Sequence, residues 1–158
     1  MVYFKTYRPD KARQNLLKAI ELYPDYVGAM LGMAYLLTAE GKRSDALSYI
    51  EQAIGKGATL EQLVKDQDLV TLRTLPEWDV LMKKYFSDQI YYNLACEHSL
   101  KGELDKGFEF LQLSLSNGWK DYDWMQQDTD LISLRAHEKR WQEIMKKYFP
   151  DQFKEKLK

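Results

Sequence analysis

The sequence predicts an all-α protein built from repeated helical hairpins, and three observations predict it. Apolar residues recur at spacings of three and four along most of the chain, the mark of helices buried on one face. No stretch alternates apolar and polar residues between turn formers, as a strand would. The chain also repeats itself: KKYFSDQ at 83–89 returns as KKYFPDQ at 146–152, DQDLVTLR at 66–73 as DTDLISLR at 128–135, and Trp78 as Trp141. Across the 20 positions compared, 13 are identical. Chance at ordinary residue usage gives about one or two, so this segment is an internal duplication.

A second period runs upstream of the first. Ala12, Leu16 and Ala19 share one helical face and recur 34 residues later as Ala46, Ile50 and Ala53. The third copy, Gly107, Leu111 and Ser114, comes a further 61 residues on, so the duplicated segment is an insert between hairpins. In chain order, a first helix ends at Pro24, and a second carrying Met30, Met33 and Leu37 is stopped by Gly41. Glycine there can take the left-handed conformation that ends a helix without a side-chain clash. A third helix carries Ala46, Ile50 and Ala53, with Asp45 in its first turn facing the positive end of the helix dipole. The insert then gives a short helix at Leu60, Leu63 and Val64, a turn at Leu69 and Leu72, and a helix from Pro76 carrying Trp78, Leu81, Met82 and Tyr85. Proline suits that start because its missing N–H would have had no partner. Tyr91, Leu94 and His98 lead to Gly102, and Asp105 opens the helix of Gly107, Leu111 and Ser114. The second insert comes next with Tyr122 and Trp124, Leu131 and Leu134, then Trp141, Ile144, Met145 and Tyr148, closed by Pro150.

These residues resemble the tetratricopeptide repeat family, a 34-residue helix-turn-helix unit with an aromatic, a Leu-small pair, a Tyr, then Ala, Phe, Ala and Pro. Met30, Met33-Ala34, Leu37, Gly41, Ala46, Ile50 and Ala53 fill those slots once; Tyr91, Leu94-Ala95, His98, Gly102, Gly107, Leu111 and Ser114 fill them again. The first unit keeps only Ala12, Leu16, Ala19 and the closing Pro24. The likeness covers about 9–57 and 88–118, and the inserts at 58–87 and 119–152 depart from it. It implies a right-handed α-α superhelix, a solenoid of about two and a half hairpins with additional helices after each complete one. One domain over 1–158 is expected: a partial first repeat at 1–24, extended units at 25–89 and 90–152, and a tail at 153–158.

Composition excludes several function classes. A hydrophobic share of 45% with 30% charged residues suits a water-soluble globular chain. With 23 Lys and Arg against 24 Asp and Glu the net charge is −1, which removes the electrostatic footprint of a nucleic-acid binder. No apolar run is long enough to span a bilayer, and MVYFKTYRPDK lacks the apolar stretch of a secretory signal, so no membrane partner is expected. A single Cys forms no internal disulfide and fits a reducing compartment, giving a cytoplasmic expectation.

Each candidate for chemistry has a structural reading beside it. The pairs Asp66/Asp68 and Asp128/Asp130 suggest a shared cation, but lack the glycine and ligand spacing of a calcium loop. Capping of the turns at Leu69 and Leu131 explains them better, and Asp121 with Asp123 likewise. Gly55-Lys56-Gly57-Ala58-Thr59 has a superficial likeness to a phosphate loop but lacks its strand and spacing, and reads as a helix end. Cys96 and His98 lie two apart on a helix, so they point to different faces and form no nucleophile and base pair. Lys83-Lys84 and Lys146-Lys147, each followed by an aromatic pair, read as solvated faces with the aromatics turned inward. No catalytic residue, metal ligand or cofactor is expected.

The resemblance implies a function in binding. The first helix of each hairpin lines a concave groove that receives a peptide or helix of a partner protein. By slot, that face is Leu31, Tyr35 and Thr38 in the first extended unit and Gln89, Tyr92, Asn93, Cys96 and Ser99 in the second. It is apolar and aromatic, and only Asn93 answers the Lys, Arg and Asn set with which some members grip acidic chaperone tails. Trp119, whose counterpart is near Ala58, is a candidate aromatic anchor. The expected function is therefore a non-catalytic protein-interaction module. The alternative is a homodimer or structural module, self-assembled over an apolar flank at Tyr3, Phe4, Leu16 and Ile20, with an Asp-based metal or enzyme site as a third reading.

Overall fold

A computed structural model describes residues 8–155, with side chains described through Gln152. Among these residues there are helices and no strand, so the chain is all-α. It divides into two compact units, one up to Tyr85 and one from Phe86. No helix among the described residues is long and apolar enough to cross a membrane.

In the first unit, α1 (Pro9–Leu22), α2 (Val27–Ala39) and α3 (Arg43–Gly55) form an ordered set in which α2 packs on both neighbours. Small residues set the spacing: Ala29, Ala34, Ala46 and Ala53 are buried, with Met30, Met33, Leu37 and Ile50 filling between them. On the other side of α2, Leu16 of α1 fills the space that a side chain at Gly32 would occupy. Arg13 clasps Glu40 at the end of α2, and that hydrogen bond holds the Glu40 carboxyl below the usual range. The insert forms α4 (Leu60–Lys65), a 3-10 turn (Gln67–Leu69), α5 (Val70–Arg73) and the first part of α6 (Pro76–Leu100). Leu60, Leu63, Leu69, Leu72, Trp78, Leu81 and Met82 supply its buried side.

The second unit repeats this plan. The remainder of α6 pairs with α7 (Leu104–Ser116); α8 (Tyr122–Gln127), a 3-10 turn (Thr129–Leu131), α9 (Ile132–Arg135), α10 (Glu138–Tyr148) and α11 (Pro150–Glu155) complete it. Its core runs through Tyr92, Phe108, Leu111, Met125, Leu131, Leu134, Trp141 and Met145. Gly107 lies so close to the backbone of Ser99 and the side chain of Leu134 that an added Cβ would stand 3.5 and 3.0 Å from them. Ser114 donates to the Asp88 carbonyl at 2.8 Å.

Two details of the inserts bear on expectation. The two helices expected here lie within Pro76–Leu100, separated by a kink at Phe86, which leaves helical geometry at φ −132° and ψ 25°. Phe149 breaks the chain at φ −131° in the second copy. In both copies the chain re-enters a helix directly after the break, at Ser87 in the first and at Pro150, which opens α11, in the second. Lys83, Lys84, Lys146 and Lys147 face solvent as expected, but Tyr85 is exposed as well, its hydroxyl on Glu51.

Gly41 and Gly102 hold φ of 75° and 73° at the ends of α2 and α6. Lys42 N–H reaches the Leu37 carbonyl at 2.9 Å, and Glu103 N–H the His98 carbonyl at 2.9 Å, which closes the last turn of each helix. Gly102→Ala is expected to cost about 1 kcal/mol in urea unfolding, because alanine resists that backbone conformation. Gly55→Ala, in open space at the end of α3, is expected to cost nothing or to stabilise slightly.

Candidate functional site

The polar residues that both inserts share converge on one aspartate in each unit. Asp128 stands directly after α8, and its Oδ1 accepts the Asp130 N–H at 3.0 Å, capping the 3-10 turn. Its Oδ2 points to α6, where it accepts the Tyr92 hydroxyl at 2.7 Å and the Cys96 thiol at 3.6 Å. Arg135 completes the arrangement from α9, donating to the carbonyls of Asp128 at 2.6 Å and Met125 at 2.9 Å. Those carbonyls lie where α8 gives way to the 3-10 turn, in which Asp128 also accepts the Leu131 N–H at 3.2 Å, and the guanidinium bridges the junction. Ser133 adds a bond to the Ser99 carbonyl at 2.8 Å.

The first unit carries the same network. Asp66 Oδ1 accepts the Asp68 N–H at 2.9 Å, its Oδ2 accepts the Tyr35 hydroxyl, and Arg73 bonds the carbonyls of Asp66 at 2.6 Å and Leu63 at 3.2 Å. The phenol comes from a different rung of the first helix. By the 61-residue offset Tyr35 corresponds to Cys96, and Tyr92 to Leu31. The two rungs lie one turn apart on one face, so either can reach the carboxylate. What the units share is the aspartate's need for a donor, not the position that supplies it.

Asp121 accepts the Trp124 N–H at 2.9 Å and caps α8, so the aspartates considered as cation ligands act as caps in these contacts. One group among the described residues gathers three ligand-bearing side chains: Cys96, Asp128 and Asp130, with atoms within 4.8 Å of one another. Its geometry suits a hydrogen-bonded cluster better than a cation. Both oxygens of Asp128 already accept hydrogen bonds, and burial together with the Asp128 charge pushes the Cys96 thiol up to about 12. The Tyr35 and Tyr92 hydroxyls are likewise pushed above their ordinary range, by burial first and by the aspartate they bond second.

The residues expected to line a groove fall into two sets. Leu31, Tyr35, Thr38 and Gln89 are half-buried, and Asn93 is exposed. Tyr92, Cys96 and Ser99 retain only 3, 8 and 1% of their exposure. These three are closed over by the chain's own second insert, which corrects the open groove expected for them. Trp119 is also turned inward: it stacks on Tyr92 with ring centroids 4.1 Å apart, its indole N–H buried with no acceptor among the described residues. The exposed tryptophan is Trp124. Ala58, which corresponds to Trp119, ends at its β-carbon, so the first unit lacks the indole that covers Tyr92 in the second.

Sequence reasoning treated the aspartates as caps and missed their second oxygen and the two arginines. A signal was present: Arg73 and Arg135 are identical in a segment where neighbouring polar positions drift, Gln67 to Thr129 and Thr71 to Ser133. The chain matches no family model, no curated protein and no solved structure.

Asp128→Ala leaves the buried Tyr92 hydroxyl without its acceptor and is expected to cost about 1–3 kcal/mol in urea unfolding. Asp66→Ala, at a less buried site, should cost less. Because the folded phenols are held neutral, the stability they contribute is complete below the ordinary tyrosine value of about 10 and is lost as pH rises above it. In ultraviolet titration of the 11 tyrosines, Tyr35 and Tyr92 are expected to ionise last, together with alkaline unfolding, and Tyr92→Phe to shrink that late step.

Proposed function

We propose that the protein is a non-catalytic interaction module of tetratricopeptide-like hairpins, each extended by a DxDL insert, and that it binds a protein partner through the half-open face of α2. The asymmetry between the two units carries this reading. Leu31, Tyr35 and Thr38 keep part of their surface in solvent, whereas the corresponding Tyr92, Cys96 and Ser99 are covered. The open set is an aliphatic, an aromatic and a hydroxyl side chain on one helical face, and the Tyr35 ring is fixed in place by its bond to Asp66. A rigid aromatic beside an aliphatic side chain is the usual anchor for an apolar residue of a partner peptide or helix.

The groups with chemical potential favour binding over catalysis. A thiol pushed up to about 12 is protonated at neutral pH and a poor nucleophile, and the Asp128 carboxylate is engaged at both oxygens. The second unit serves in this reading as a closed support.

Leu31→Asp places a charge on the α2 face while the buried residues of the unit remain. Affinity capture with the wild-type protein, followed by the same capture with Leu31→Asp of unchanged helicity, tests the reading. Loss of the specifically captured protein is the expected result, with Asn93→Asp in the second unit retaining it. An identical captured set with Leu31→Asp places binding elsewhere.

A further inference from the structure

The insert is present twice, and its two copies differ on the outward side of α4 and α8. An offset of 62 residues aligns the two helices without a gap. Thr59 and Asp121 each cap the start, Leu60 and Tyr122 turn inward, Leu63 and Met125 are fully buried, and Asp66 and Asp128 stand at the end. On the outward side of α4 the chain neutralises its own acid. Lys65 meets the Glu61 carboxylate at 2.6 Å, one turn away, and that bond holds the Glu61 carboxyl below its usual range. In α8 the acid is kept as Asp123, but Gln127 stands in the place of Lys65, and Asp123 has no ion pair among the described residues. Beside it Trp124 replaces Gln62. Trp124 keeps 52% of its exposure, against 4 and 6% for Trp78 and Trp141, and no cation lies over its ring among the described residues.

The covered copy shows what fits the uncovered one. Residues three and four apart are neighbours on a helix, so position 127 lies beside both Asp123 and Trp124, and at the matching point of α4 the occupant is an ammonium. We propose that the outward face of α8 binds a lysine side chain of a partner protein, its ammonium paired with the Asp123 carboxylate and its methylene stem laid against the Trp124 ring. The carboxylate attracts the charge, and the negative face of an indole attracts it a second time, so the pair selects a basic side chain over a neutral or acidic one. The stem buries the apolar ring while the charge stays at the surface. Exposed Asp121 adds negative charge at the start of the helix, and Lys120, just before it, is outnumbered by the two carboxylates. The face belongs to the second unit and Leu31 and Tyr35 to the first, so either proposal can fail without the other.

The probe is a short end-blocked peptide of alternating lysine and glycine, titrated at low salt into the isotope-labelled full chain, with a glutamate–glycine peptide of equal length as the control. The indole N–H resonance of Trp124, assigned by its loss in Trp124→Phe, is the readout. A saturable shift with a dissociation constant of about 1 mM or below is expected, weakened several-fold by Asp123→Asn and by added salt. Gln127→Lys restores the arrangement of the first copy and should weaken binding several-fold by occupying the site from within. The reverse transfer, Gln62→Trp/Lys65→Gln, should create a second indole resonance that shifts with the peptide. All of these positions are exposed, and circular dichroism checks the helicity of each variant. No saturable shift, an equal shift with the glutamate peptide, or undiminished binding to Gln127→Lys overturns the proposal. Concentration-dependent dimers in light scattering that Asp123→Asn abolishes also overturn it, since the lysine then comes from a second copy.

Discussion

A carboxylate drawn away from water needs donors, and that requirement organises each unit. Asp66 and Asp128 stand where a short helix has ended and leave one oxygen turned toward the first helix of the hairpin. A phenol on that helix answers the oxygen, a backbone N–H answers the other, and an arginine ties the preceding carbonyls to the next turn. Apolar burial of leucines, a tryptophan and methionines holds the insert too, but only polar bonds answer the unsatisfied backbone groups of a chain rich in helix ends. With them, Leu69 and Leu72, or Leu131 and Leu134, are delivered to the core at full burial. A buried polar network of this kind is costly when incomplete, so it fixes one register of the insert against its hairpin.

The two units share this plan and differ in how far it closes. Tyr92 and Trp119 form a stacked pair over the second network, whereas Leu31 and Ala58 occupy those positions in the first. The aromatic pair covers Tyr92, while Asp128 reaches Cys96 and Ser133 reaches Ser99, and burial together with the Asp128 charge pushes the thiol up. The aliphatic and small pair leaves the corresponding face of α2 partly wet. The duplicated element thus has one copy whose face is closed and one whose face is partly open, and two aromatic side chains in place of a leucine and an alanine accompany the difference.

Much of this was legible in the chain. Helical periodicity, the glycines at 41 and 102, the prolines at 24 and 76 and the acidic caps all act locally, through backbone geometry and nearest-turn contacts, and each takes its expected place. The all-α class and the order of the helices rest on them. The destinations of side chains with two options were not legible. Tyr92 and Cys96 suit an open groove or a buried bond equally well by type, and only the approach of Asp128, 36 residues after Tyr92, decides between them. Trp119 was visible as an aromatic gained on one copy, but its stacking partner is set by tertiary packing. Tyr3 and Phe4, the expected start of the apolar flank, lie outside the described residues, while Leu16 and Ile20 of that flank are half-buried.

The claim that the aspartate–tyrosine bond holds each insert in register is tested most directly by a double-mutant cycle on Tyr92→Phe and Asp128→Asn, read by urea unfolding. Tyr92→Phe removes the donor and Asp128→Asn replaces the carboxylate by a neutral amide, each with little change of volume, so the coupling reports the charged bond apart from the packing around it. A favourable coupling of about 1 kcal/mol or more, with the double variant close in stability to the less stable single one, is the predicted result. Strict additivity would show that hydrophobic packing alone positions the insert, and would contradict the account.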